Sequence, residues 1–188
     1  SVWEYMRTGP YSSSSQFYRW VNEVTAQPDV IYYAIKPLES GKSEGVASYL
    51  QIQPSAGSIE VGNIAYAPSL QKTKAATEAM FLMMHWAFEA GYRRYEWKCN
   101  ALNEASRKAA QRLGFSFEGI FRQAMVVKGR NRDTAWFAMI DHEWPALQEA
   151  FDVWLSPRNF DDKGDQKEHL GNLTGLIRAN SDPLVKEF

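Results

Sequence analysis

Lys72, Thr73, Lys74, Ala75, Ala76 and Thr77 stand where a β-branched run ending at Tyr66 gives way to a long helical pattern. The first turn of a helix leaves backbone N–H groups without partners, and these can hold a phosphate. Lys72 and Lys74 bring positive charge to that end. Ala75 and Ala76 let a ligand approach the backbone, and Thr73 or Thr77 can donate a hydroxyl hydrogen bond. The chemistry indicated is a diphosphate cradle, although the same residues also suit an ordinary solvated helix start. Neither GxxxxGK[ST] nor GxGxxG is present, so nucleotide kinase and dinucleotide chemistry are not indicated.

Two carboxylates, Glu60 and Glu96, lie in strand-like runs and are candidates for a general base; each also reads as a surface carboxylate or ion-pair partner. Cys99 has no patterned base or orienting group around it, as a covalent route would need, and reads as a small buried hydrophobe. His85, His142 and His169 do not have the spacing of a metal site. Lys128 to Asp133 (KGRNRD) reads as a polar hairpin loop. Its three basic residues beside Asp133 either frame an anionic or polar acceptor or belong to a solvated turn with a local ion pair.

The elements that must position these groups follow from periodicity. Residues 14–26 predict an amphipathic helix, with Phe17, Trp20, Val21 and Val24 on one face. Three strands are expected at 30–36, 45–53 and 58–66, with Gly62-Asn63 marking a bulge or a close backbone approach. A long helix over 72–90 shows Ala75, Ala79, Leu82, Met83 and Trp86 on one face, and Gly91 ends it. A strand at 92–98, a short helix at 103–113, and strands at 115–127 and 134–139 follow. Pro145 opens a further helix. The order implies a mixed α/β sheet covered by helices. We expect one domain over 1–155, an assignment that leaves room for a strand before Ser1, and a loosely ordered tail or covering arm over 156–188.

The totals are consistent with that reading. A chain of 188 residues, 45% hydrophobic, can build a core of two or more layers. A formal charge of -1 argues against a general nucleic-acid binder. A single cysteine allows no internal disulfide and is compatible with a reducing, cytoplasmic setting. No apolar run suggests a membrane span.

Three stretches carry a family resemblance: QKTKAATEA at 71–79, AFEAGYRRYEWKCNALNEASRKAAQRLGFSFEG at 87–119, and VKGRNRDTAWFAM at 127–139 with EWP at 143–145. Together they resemble the GNAT superfamily of N-acetyltransferases, most closely its RimJ/RimL-like branch. The resemblance implies a mixed, mostly antiparallel sheet with helices on both faces and a splayed central strand pair. It implies acetyl-CoA as the cofactor and no metal. In the family a Q/R-x-x-G-x-G/A segment wraps the pyrophosphate; here Gln71 fills the first position, Lys74 replaces the middle glycine and Ala76 fills the last. The splayed strand would offer the backbone of Ile64, Ala65 and Tyr66 to the pantetheine arm.

Asn103 matches an asparagine near pantetheine, and also reads as a helix N-cap. Ser106 matches a serine placed near the thiol, and Arg107 could face the phosphates. A tyrosine common in the family four residues beyond Ser106 is replaced by Ala110. The implied reaction is direct attack by a neutral amine on the acetyl group, with Glu60 as the candidate base and Ser106 as the proton donor. The acceptor would be a small-molecule amine, an amino acid or a peptide N-terminus, with no nucleic-acid or membrane partner; a homodimer is compatible with the family. Competing readings are a CoA-binding or protein-interaction module with little catalysis, and a structural α/β protein with an empty cleft. Trp3, Tyr5 and Tyr11 either close the cleft or cover the core.

Overall fold

The computed structural model describes residues 3–185. The chain runs α1 (Ser14–Thr25), β1 (Ile31–Ile35), β2 (Gly45–Gln53), β3 (Ser58–Tyr66), α2 (Lys74–Glu89), β4 (Arg94–Asn100), α3 (Glu104–Arg112), β5 (Ser116–Val127), β6 (Arg130–Ile140), α4 (Trp144–Leu155), a 3-10 turn at Pro157–Asn159 and α5 (Leu170–Gly175). The strands form one sheet in the order β1-β2-β3-β4-β6-β5. Only β3 and β4 are parallel; every other neighbouring pair is antiparallel. A parallel pair needs a crossover, and α2 supplies it.

Period-two alternation divides the sheet into two faces. Tyr95, Trp97 and Cys99 of β4 are buried on one face with α2, α3 and α4, among a core that includes Tyr49, Phe115, Phe137, Leu147 and Phe151. Arg94, Glu96 and Lys98 alternate onto the other face. There Trp20 of α1 meets Tyr32 of β1 edge-on at 6.3 Å. The segment before α1 runs along the same side: Trp3 and Tyr11 join a ring cluster with Phe17 and Trp20, and Lys128 Nζ donates to the Trp3 carbonyl at 2.8 Å.

Several expectations need correction. The buried face of α2 is Ala76, Thr77, Met80, Met83, Met84 and Ala87, whereas Leu82 and Trp86 are 56% and 48% exposed. This helix is apolar nearly all round, so periodicity alone does not choose its buried stripe. Packing chooses it: Phe81 stacks on Trp144 and Phe151 of α4, and Trp86 lies flat on Tyr49 at 5.0 Å. The expected loop 128–133 is only a turn at Lys128-Gly129, both residues having positive φ, as a tight two-residue hairpin requires. Arg130 to Asp133 already belong to β6. Among the described residues Asp133 makes no ion pair; it accepts from the Gln123 N–H and from Asn131 Nδ2.

The segment after α4 lies against the helices. Asn159 is buried, donating to the Trp154 and Glu168 carbonyls, and Leu170 and Thr174 of α5 are fully enclosed beside α3 and α4. Among the described residues, no helix is long and apolar enough to cross a membrane.

Candidate active site

The site grows from a strand pair that separates. β3 and β4 are paired from Ser58↔Arg94 to Val61↔Trp97 and no further, although β3 continues to Tyr66 and β4 to Asn100. Each strand keeps its outer partner: β3 remains with β2 to Gly45↔Tyr66, and β4 remains with β6 to Asn100↔Thr134. The gap begins beside a bulge in β3, where the register against β2 shifts between Ser48↔Gly62 and Val46↔Ala65. An extra residue bends and twists a strand. Asn63 takes φ 52, and its amide donates to Ser48 Oγ at 2.9 Å, while Ser48 Oγ donates to the Gly62 carbonyl at 3.1 Å. The bulge is thus pinned to β2, and Ile64, Ala65 and Tyr66 present a backbone edge that β4 does not pair.

Two helix N-termini stand at the open end of this gap, because α2 follows β3 and α3 follows β4. Thr73 caps α2: its Oγ1 accepts from the Ala76 N–H at 3.1 Å and donates to the Leu70 carbonyl at 2.7 Å. The N–H groups of Lys74 and Ala75, in the first turn, have no intrahelical acceptor to reach. Lys72 has φ 63 and is exposed. Lys74 adopts helical backbone, and its ammonium sits over the Phe160 ring, 4.8 Å from the centroid. A lysine in place of glycine is therefore accommodated by turning its side chain toward the C-terminal segment. Gln71 Nε2 donates to the Tyr66 carbonyl at 3.0 Å, tying the turn to the end of β3. Thr77 is buried and accepts from Arg112 Nη1 at 3.2 Å. Arg112 also lies over Trp154, and burial lowers its pKa. Sequence reasoning passed over this cation because it is near α2 only in space.

At α3, Asn103 is the N-cap, its Oδ1 accepting from the Ser106 N–H at 3.1 Å. Ser106 Oγ accepts from Trp97 Nε1 at 3.0 Å and also meets the Cys99 thiol. Cys99 is buried, which pushes its thiol up to about 11, so it is not a thiolate nucleophile near neutrality. Arg107 is already engaged within the protein. Its Nε and Nη2 donate to Asp182 at 2.6 and 2.5 Å, and its Nη1 donates to the Ala101 carbonyl. The expectation that Arg107 faces phosphates is corrected by a partner 75 residues away, which no local pattern shows.

On the other face of the same strands, Glu60 and Glu96 sit opposite each other, and Lys98 Nζ is 2.7 Å from a carboxylate oxygen of each. Burial raises the Glu60 pKa, the Lys98 ammonium pulling the other way. Burial also works against ionisation of Glu96, but Lys98 and Arg94 outweigh it and its pKa falls. Arg94 in turn bridges Glu96 and Glu118. The last strand pair, Val61↔Trp97, therefore has the Ser106 hydroxyl on the helix-covered face. The Glu60 carboxylate lies one residue back on the other face. A reactant pair meeting through the gap would have a proton acceptor on one side and a proton donor on the other. Among the described residues, no group of three or more His, Cys, Asp or Glu side chains could hold a metal ion.

Comparison with known proteins gives a consistent result. The family model of the acetyltransferase (GNAT) domain matches residues 1–116. A GCN5-related N-acetyltransferase from Brucella melitensis superposes with TM-score 0.90 at 45% identity, covering 93% of this chain and 79% of that one. An acetyltransferase assigned to the GNAT family from Chromobacterium violaceum superposes with TM-score 0.75 at 46% identity, covering 78% and 74%. The Salmonella typhimurium acetyl transferase that modifies the N-terminal serine of ribosomal protein L7/L12 superposes with TM-score 0.62 at 25% identity, covering 73% and 80%. A search of curated proteins gave no match.

Proposed function

Since the chain belongs to the GNAT acetyltransferase family, whose activity is acetyl transfer, we propose that it moves the acetyl group of acetyl-CoA to a primary amine by direct attack. The observation that carries this reading is the parting of β3 and β4 beyond Val61↔Trp97, with Glu60 and Ser106 on opposite faces of that point. Bound acetyl-CoA would supply an acyl carbon activated by its thioester.

The donor set fits such a ligand. The free edge of Ile64, Ala65 and Tyr66 offers the backbone amide pattern that an extended pantetheine arm can pair with, as a strand would. The first turn of α2 offers the N–H groups of Lys74 and Ala75, the positive end of the helix dipole and the exposed Lys72 to a diphosphate. Gln71, Thr73, Ala76 and Thr77 build that turn, by holding it to β3, capping it and lining it. Asn103 fixes the start of α3 and so the height of Ser106.

Glu60 accepts the proton that an ammonium must lose before it can attack, and its raised pKa improves its strength as a base. Ser106 keeps a hydroxyl proton to donate, since its oxygen already accepts from Trp97. Ala110 leaves no tyrosine at the position where many relatives carry one, so Ser106 takes the donor role here. Orientation within the gap supplies the remainder of the rate. Acceptors in keeping with the RimJ/RimL-like likeness are small amines, amino acids and peptide N-termini. The test is incubation with acetyl-CoA and an amine panel, following thiol release and acetylated product. Tight CoA binding with no acceptor-dependent thiol release would leave a binding module instead.

A further inference from the structure

On the sheet face that carries Glu60, one buried cation has no anion. Arg132 of β6 is only 8% exposed. Its Nε donates to Thr134 Oγ1 at 3.3 Å, and its two terminal nitrogens make no hydrogen bond or ion pair among the described residues. The neighbouring cations differ: Lys98 is held by Glu60 and Glu96, and Arg94 by Glu96 and Glu118. The adjacent Asp133 points to the other face and is taken up by Gln123 and Asn131. Glu60 is near enough to favour the Arg132 charge but does not bond it. A second guanidinium, Arg7 in the segment before α1, is near enough to both Arg132 and Glu60 to perturb each. The two like charges disfavour each other, and neither Glu60 nor the buried Cys99, the groups of opposite sign that act on Arg132, bonds its guanidinium.

A guanidinium this enclosed with no anion is costly, because it loses most of its hydration; its terminal nitrogens keep an opening to solvent through which a ligand can reach them. Its two terminal nitrogens form a fork that matches the two oxygens of a carboxylate. Placement separates this fork from the phosphate end. Asn100 pairs with Thr134, so Arg132 lies just past the open end of the gap, on the face opposite α2 and α3. An acceptor would enter from this face, beside Glu60.

We propose that Arg132, supported by Arg7, binds a carboxylate carried by the acceptor, so that the enzyme selects primary amines bearing a carboxylate. This rests on the acetyl-transfer reading above and adds the substrate class. The carboxylate belongs either to a free amino acid or to a short peptide with an acidic side chain near its N-terminus; the recognition chemistry is the same.

The experiment uses matched pairs with acetyl-CoA: amino acids against their amides, and acidic-residue peptides against their amide isosteres. The expected result is roughly ten- to hundredfold higher kcat/KM for the carboxylate member, the usual worth of a charge-assisted contact, mostly in KM. Whichever pair shows the larger ratio identifies the source of the carboxylate. Arg132→Gln should bring the ratio to near one and Arg132→Lys should keep part of it. Arg7→Ala, at an exposed position, should lower it even if Arg132→Gln fails to fold. Amides or polyamines used as well as carboxylates would overturn the proposal while leaving acetyl transfer intact. If no amine is acetylated, the acetyl-transfer reading fails. Calorimetric titration with the same amino acids then decides this one: carboxylate binding lost in Arg7→Ala upholds it, and no binding overturns it.

Discussion

Arg107 of α3 and Asp182 of the C-terminal segment form a bidentate ion pair at 2.6 and 2.5 Å, with only 5% and 0% of the two side chains exposed. The pair fastens the segment after α5 to the helix whose first turn carries Ser106. The Asp182 N–H donates to Gln111 Oε1, and the Phe117 N–H donates to the Asn180 carbonyl, so the fastening continues along the edge of β5.

Removing one member of a buried pair leaves an uncompensated charge and costs about 3–5 kcal/mol. Asp182→Asn should therefore lower Tm by roughly 6–20 °C for a chain of this size. The double variant Arg107→Met, Asp182→Leu should recover much of that loss, since it leaves no charge stranded. Thermal unfolding of the parent and the two variants checks this. A single variant as stable as the parent would show that the segment contributes nothing to α3.

Legibility of the fold in the sequence varied with what each feature depends on. β2 and β3 were read to the residue because alternation and turn residues bound them locally, and the bulge at Gly62-Asn63 was visible as a glycine inside a strand. The stripe of α2 was misread because Leu82 and Trp86 are apolar yet stay about half exposed, Trp86 covering Tyr49 with one ring face only. Arg132 was legible only in part: in KGRNRD it is one of three basic residues able to frame an anionic acceptor, but only the strand register puts it in β6 on the face that carries Glu60. Glu60 and Ser106 were each named from the sequence and the resemblance. That they flank the last strand pair from opposite faces follows only from the β3–β4 pairing and the contact of Ser106 with Trp97. Arg107 was misassigned because its partner is distant in the chain.

Glu60 gives a pH prediction. Burial raises its pKa above the usual 4.5, so the basic form is lost as pH falls through a value higher than an ordinary carboxylate's. The kcat/KM profile should have an acid limb at that raised value, and Glu60→Gln should remove the limb and cut the rate roughly a hundredfold or more. The linkage to stability has the opposite sense. A raised carboxyl pKa favours folding below the unfolded value, and that contribution disappears as pH rises through the folded value. The stability of the parent relative to Glu60→Gln should thus decline with rising pH. A rate profile with the same acid limb in both proteins would exclude Glu60 as the base.

Ser106 is held by Asn103 through its N–H and by Trp97 through its oxygen. Ser106→Ala should slow the chemical step by roughly tenfold or more, while CoA affinity changes little. It should also cost about 1–3 kcal/mol of stability, because Trp97 Nε1 loses its acceptor. Single-turnover rates and CoA dissociation constants separate the two effects. An unchanged chemical step would reject Ser106 as proton donor.

Thr73 tests the phosphate end separately from the chemistry. Its side chain caps α2 on one side and anchors to the Leu70 carbonyl on the other. Thr73→Ala should cost about 1 kcal/mol of stability and raise the acetyl-CoA KM, leaving the acceptor KM nearly alone. Substrate-varied kinetics distinguish this from a general loss of activity, in which both constants would move together.

Asn63 sits in the bulge where the strands part, and whether the bulge holds them apart can be tested without deleting a residue. At φ 52 the position suits asparagine or glycine, whereas a β-branched side chain is strained there. Asn63→Gly keeps that backbone and loses only the amide bond to Ser48, at about 1 kcal/mol. Asn63→Val loses the bond and adds about 1–2 kcal/mol of strain, which the chain can relieve by straightening β3 toward β4. Straightening would narrow the gap that pantetheine must enter. CoA affinity should therefore fall more in the valine variant than in the glycine variant, by a margin larger than their difference in stability accounts for. If both bind CoA as the parent does, the bulge does not hold the strands apart, and the gap must be held by the outer pairings with β2 and β6 alone.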